Sequence, residues 1–183
     1  VIAAVKYMPS RERADLDALY AAGGSDRVAL YLNYERQEES GVYVDGQTYL
    51  PATWVDANLN ERFYWDANEE ILVYALPEEI VKSDETTVDE DGKKILYRDG
   101  DAVYLSLALI QKYTDVRLQA YDGEAQKRVF VENNWDPVTV ADAAWSAKIR
   151  LRGGLKSPIV TEIKRGGTVT VLEQYDNWAR VMT

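Results

Sequence analysis

Two Asp-Gly pairs, each set between β-rich runs, constrain this chain more than any other feature. In VYVDGQTYL (42–50), Asp45-Gly46 interrupts two segments of Val, Tyr, Thr and Leu. Such a dipeptide tolerates the positive φ angles of a tight turn, so the stretch predicts a hairpin. Pro51 follows, suited to a helix's first turn, and PATWVDANLN places Trp54, Val55 and Leu59 at helical spacing. ERFYW then reads as a strand, DANEE as a turn and ILVYALP as another strand. VALYLNYE (28–35), ahead of the hairpin, reads as one strand.

The same order recurs across residues 94–133. Asp99-Gly100 takes the hairpin position, Tyr104-Leu105 follows as Tyr49-Leu50 did, and LALIQKY reads as the helix. Tyr49 and Tyr104 are 55 residues apart, and Arg62 and Arg117 keep that spacing. Trp65-Asp66 matches Tyr121-Asp122 after one inserted residue. The reading is a pseudo-repeat of two copies, 28–76 and 94–133. The polar stretch SDETTVDEDGKK between them reads as a loop or an exposed hairpin.

Charge divides the chain elsewhere. Residues 1–137 carry 14 basic and 27 acidic side chains, whereas residues 138–183 carry 7 and 4. The sign change near Pro137 predicts a boundary, giving a segment 1–24, an α+β domain 25–137 and a small all-β domain 138–183. Ser10 is placed to cap a helix through RERADLDALYAA that ends at Gly23-Gly24. In WSAKIRLR (145–152), Trp145, Ala147, Ile149 and Leu151 alternate with Ser146, Lys148, Arg150 and Arg152. This predicts a half-buried strand with a basic outer face.

Composition removes most chemistry. The 183 residues include no His and no Cys, so the commonest general base, thiolate nucleophiles and the usual transition-metal ligands are absent. A net charge of −10 argues against nucleic acid. No apolar run approaches the length of a membrane span. TTVDEDGKKILYR puts Thr87 and Arg98 at the first and last ligand positions of a calcium loop, which disqualifies it. VDEDGK has Lys93 where a chitinase-type motif needs its acid, and RGGLKS lacks the upstream glycine of a P-loop. A Ser–Lys pair stays open, with no spacing in its favour. Asp66 beside Trp65, and Asp122 beside Tyr121, fit either sugar contacts or simple turn residues. No cofactor and no metal are expected.

Aromatic residues are the remaining lead: 13 Tyr and 5 Trp against 2 Phe. Tyr and Trp offer a flat apolar face with a polar edge. Trp54, Trp65 and Trp145 are expected in the core. In WARVM, alternation sets Trp178 with Arg180 and Met182, opposite Val181. Either Trp178 points outward beside Tyr175, Asp176 and Asn177 as a ligand platform, or it caps the core. Arg150 and Arg152 would add positive charge to such a platform.

Two resemblances follow from these residues. VYVDGQTYLPATWVDANLNERFYWDANEEILVY resembles the copper amine oxidase N-terminal-like domain, with its hairpin, its Leu-Pro entry to a helix and its strand ending in Trp-Asp. It departs at Asn60, where that family usually has Gly. KIRLRGGLKSPIVTEIKRGGTVTVLEQYDNWARV resembles a bacterial SH3-like domain through Arg152, the glycine pair, Val160, Gly166, Val169, Val171 and the Trp178…Val181 pair. That family continues through a further turn and strand, so the barrel is expected to be incomplete at its C-terminus. The start without Met likewise suggests a processed or trimmed portion of a longer chain. In this order the modules resemble the accessory region before a glycoside hydrolase family 18 barrel in secreted or surface proteins of Gram-positive bacteria. The resemblance implies an extracellular or wall-associated, non-catalytic targeting region. Its partners would be a cell-wall glycan or peptidoglycan peptide and a downstream catalytic domain. The alternative is a structural spacer or adhesion module without a ligand of its own.

Overall fold

The computed structural model describes residues 8–182, which fall into two compact units. Residues 20–135 form one; the described residues before Tyr20, together with those from Asp136 onward, form the other.

The first unit is built on a seven-stranded sheet. Its strands are β1 (Arg27–Leu32), β2 (Glu35–Val44), β3 (Gln47–Pro51), β7 (Leu96–Asp99), β8 (Ala102–Ser106), β9 (Arg117–Tyr121) and β10 (Arg128–Glu132). They lie in the order β7-β8-β3-β2-β1-β10-β9, antiparallel except for the parallel pair β1 and β10. Hairpins turn at Asp45-Gly46, with φ of 50° and 81°, and at Gly100-Asp101, where Gly100 has φ of 60° and Asp99 still pairs with Ala102 in the ladder. Each hairpin feeds a helix: α2 (Ala52–Asn58) after β3 and α3 (Leu107–Tyr113) after β8. Pro51 stands at the cap of α2, while at the equivalent position Ser106 accepts the Leu109 N–H on its hydroxyl at 3.2 Å. The two copies meet through equivalent strands. Leu50 pairs with Leu105, Tyr49 with Ser106 and Pro51 with Tyr104, so the register is self-complementary about a pseudo-two-fold axis.

One face of this sheet carries the core. Val28, Leu30, Leu50, Leu96, Leu105, Val129 and Val131 meet Trp54 and Val55 of α2 and Leu109 and Ile110 of α3. Trp54 is 2% exposed and donates its indole N–H to Gln37 Oε1 at 3.2 Å. A second small sheet, β4 (Phe63–Asp66), β5 (Ile71–Ala75) and β6 (Ile80–Ser83), contributes Phe63, Leu72 and Tyr74 to the same core. Asn60, at the departure from the resembled family's pattern, ties the copies together. Its side-chain amide donates to the Tyr113 carbonyl and to Thr114 Oγ1, both at 3.0 Å.

The opposite face is aromatic. Tyr49 and Tyr104 are buried beside Val42 and Tyr97. Farther along, Tyr31 stacks on Phe130 at 4.7 Å, and the Arg128 guanidinium sits 4.4 Å from the rings of both Tyr20 and Tyr121. The expected single strand over 28–35 is in fact a strand and a turn. Asn33 and Tyr34 adopt φ of 46° and 70°, and Asn33 is pinned by side-chain and backbone bonds with Asn133. Asn enters this left-handed region more readily than most residues.

The second unit corrects several expectations. Its strands are β11 (Thr139–Asp142), β12 (Ala147–Arg150), β13 (Ile159–Ile163), β14 (Thr168–Gln174) and β15 (Ala179–Met182). They form a three-stranded sheet, β11-β14-β15, and a separate two-stranded ladder, β12-β13. There is no closed barrel, so the SH3-like expectation fails. The physical reason is a thin core. Among the described residues from 136 on, Ile159 alone is buried, and Trp145 is 74% exposed. Two faces with so little apolar surface have nothing to wrap around. The expected core place for Trp145 fails with it. The α+β description fails as well, because strands hold 46% of the residues and helices 11%.

Residues 8–19 group with the residues from Asp136 onward. The expected helix from Ser10 shortens to α1 (Leu16–Tyr20), capped by Asp15, whose Oδ1 accepts the Ala18 N–H at 3.1 Å. Residues 10–14 are extended instead, because they pair with β13 through a parallel bridge between Arg13 and Ile159.

Two substitutions test the large sheet. A Cβ on Gly41 would lie 2.7 Å from the Tyr49 carbonyl oxygen, so Gly41→Ala is expected to destabilise the first unit by about 1–3 kcal/mol. Thr48 is 4% exposed and its hydroxyl has no partner, so Thr48→Val is expected to stabilise the unit by about 1 kcal/mol. Urea denaturation of the full chain, followed by tryptophan fluorescence, reads both.

Candidate functional site in the C-terminal unit

The loops 151–158 and 175–178 come together at one end of the second unit. The β14-β15 hairpin turns through Tyr175, Asp176, Asn177 and Trp178, closed by the Tyr175 N–H donating to the Trp178 carbonyl at 2.8 Å. Trp178 lies over Gly153: a Cβ there would sit 3.5–3.8 Å from three atoms of the indole. The partner loop is held by its own bonds. The Arg152 N–H donates to Ser157 Oγ at 2.9 Å, the Leu151 N–H to the Pro158 carbonyl at 3.0 Å, and Gly154 takes a φ of 123°.

Of the six predicted ligand residues, the structure gathers Trp178, Tyr175, Asp176, Asn177 and the Arg152 loop at this end. All five are exposed, Tyr175 at 55% and Trp178 at 37%. Arg150 differs. Its guanidinium donates to the Ser157 carbonyl at 2.6 Å and twice to the Ser10 carbonyl at 3.1 Å. It binds its own chain, and a bulge between Ile149 and Arg150 breaks the alternation that put it on an outer face.

Electrostatics set the Tyr175 ring. Its hydroxyl donates to Glu173 Oε2, and Arg180 Nη1 donates to Glu173 Oε1 at 3.2 Å. The Tyr175 hydrogen bond, followed by the Arg180 charge, holds the Glu173 carboxyl below the ordinary range. The same bond raises the Tyr175 phenol. A carboxylate whose folded pKa is lowered stabilises the fold above its unfolded pKa, and that help is lost as pH falls through the lowered value.

The other acidic candidates are turn residues. Asp66 Oδ1 accepts from the Asn68 and Glu69 N–H groups at 2.9 and 3.2 Å. Asp89 Oδ1 accepts from Asp91 and Lys93, and Asp84 Oδ1 from Thr86 and Thr87. The hydroxyl and backbone bonds of Thr86 lower the Asp84 pKa. Among the described residues, no group of three His, Cys, Asp or Glu is placed to hold a metal, and no helix is long and apolar enough to cross a membrane. The sequence reading missed the Gly153–Trp178 contact, which joins two loops 25 residues apart.

Comparison with protein-family models, curated proteins and solved structures gave no match.

The Glu173 geometry is testable by NMR titration of side-chain carboxyls. Glu173 is expected to titrate below an ordinary glutamate, and Tyr175→Phe is expected to move its midpoint upward.

Proposed function

We propose that this chain is a non-catalytic, wall-directed binding region, with the end of the second unit as its ligand platform. The observation that supports this reading is the exposed Trp178, braced on Gly153 and flanked by Tyr175, Asp176, Asn177 and Arg152. An indole held by backbone presents a flat apolar surface to the C–H face of a sugar ring. The exposed Asp176 and Asn177 offer hydrogen-bonding groups to the hydroxyls of such a sugar, and Arg152 offers a cation to the anionic groups of a wall polymer. In this reading, chemistry on the ligand is left to another domain. The resemblance of the first copy to the copper amine oxidase N-terminal-like domain supports a secreted or wall-associated setting for the chain.

The test is co-sedimentation of the full chain with purified peptidoglycan sacculi. Wild type is expected to pellet at low salt and to be released as salt rises. Trp178→Ala is expected to weaken retention about three- to tenfold, the loss that an aromatic contact of about 0.5–1.5 kcal/mol gives. A wild-type chain that stays in the supernatant at low salt overturns the proposal.

A further inference from the structure

The second unit is completed by a strand from the far end of the chain. Arg13 forms a parallel bridge with Ile159, the first residue of β13. The Ser10 N–H donates to the Leu155 carbonyl at 2.7 Å, the Ile159 N–H to the Glu12 carbonyl at 2.8 Å, and the Ala14 N–H to the Ile159 carbonyl at 2.8 Å. Arg150 clamps the Ser10 carbonyl with two donors at 3.1 Å. Arg13 and Glu162 add an ion pair at 3.7 Å, exposed on both sides.

This seat is firm in its hydrogen bonds and loose in its packing. None of residues 10–14 is buried, and α1 buries nothing either. A groove of about 390 Å³ remains between Glu12–Asp15, Ala18 and Leu19 on one side and Leu151 and Pro158 on the other. With so little apolar area to lose, the segment is held chiefly by its hydrogen bonds. What it leaves behind does not tolerate vacancy. Ile159 is 3% exposed, and both its N–H and its C=O are paired to the segment. Unpaired backbone groups at so sheltered a position are costly, and an open strand edge recruits another strand.

We infer that the β13 edge and Arg150 form a strand-accepting site whose partner in trans is residues 10–14 of a second copy of this chain. An identical segment restores every contact just described, including the Arg13–Glu162 pair, so exchange conserves the bonding. The connection after α1 suits a hinge: residues 21 and 23–26 are exposed, and Gly23, with open space around it, adopts φ of 92°. What opposes exchange is the entropy of association and the repulsion between chains of net charge −10. Exchange is therefore favoured by high protein concentration and by salt.

The absence of cysteine makes the test clean. Arg13→Cys and Glu162→Cys are made singly and together in the full chain and treated with a short bismaleimide. At low concentration the two-site variant is expected to cross-link within one chain. A mixture of the two single variants, at high concentration and salt, is expected to give a covalent dimer carrying a 13–162 link, identified by mass spectrometry of the joined peptides. Tenfold dilution should lower that product on the order of tenfold relative to the within-chain link, by mass action. Arg150→Ala should reduce both products, because it removes the clamp on Ser10. A two-site variant that links only within one chain, with no 13–162 product from the mixture, overturns exchange. A two-site variant that forms no link in any form overturns the seat itself.

Discussion

The pairing of Leu50 with Leu105 is the contact on which the first unit depends. These residues hold equivalent places in the two copies, and both are fully buried. Pairing equivalent strands antiparallel forces the two hairpins into one continuous sheet and sends both following helices onto the same face. Trp54 and Val55 of α2 then share a single core with Leu109 and Ile110 of α3. Asn60 closes the arrangement from the helix ends by bonding to Tyr113 and Thr114. A repeat that reads in sequence as two units is thus one core in space, because neither hairpin and helix alone can bury its apolar face.

The copies diverge after their helices. In the first, β4 and β5 join β6 as a small separate sheet; in the second, β9 and β10 return to the large sheet beside β1. That return brings Phe130 against Tyr31 and inserts Arg128 between Tyr20 and Tyr121. Three of the thirteen tyrosines meet here. Tyr lets a sheet face that is only partly covered gain contact area while its hydroxyl stays wet.

The second unit follows a different rule. With Ile159 as its buried residue among those from 136 on, it relies on hydrogen-bonded ladders, glycine turns and a borrowed strand. The same scarcity of core leaves Trp145, Tyr175 and Trp178 accessible. Exposed aromatic residues and a lightly packed segment 10–14 go together with one shortage of apolar surface. The binding and the strand exchange proposed for this unit both draw on that shortage.

Local chemistry was legible in the residues themselves. Asp45-Gly46 announced a hairpin because few other pairs accept its φ angles, Gly100 marked the second turn, and Pro51 announced a helix start because its ring fixes φ. The turn at Asn33-Tyr34 was hidden, since nothing nearby signals that Asn133, a hundred positions away, will hold Asn33 in place. Arg150 looked like an outward cation because strict alternation ignores bulges, and RERA looked helical because its polar side chains do not reveal a backbone taken up by Ile159. Barrel closure was expected from a pattern of strands, yet closure depends on how much apolar area two sheets can share. The sequence by itself determined the turns, the paired copies and the limits on chemistry set by the lack of His and Cys, all of them properties of adjacent residues or of composition. Only the tertiary structure decided which strands meet, which arginine faces its own chain and where residues 10–14 belong, because those outcomes turn on backbone partners distant along the chain.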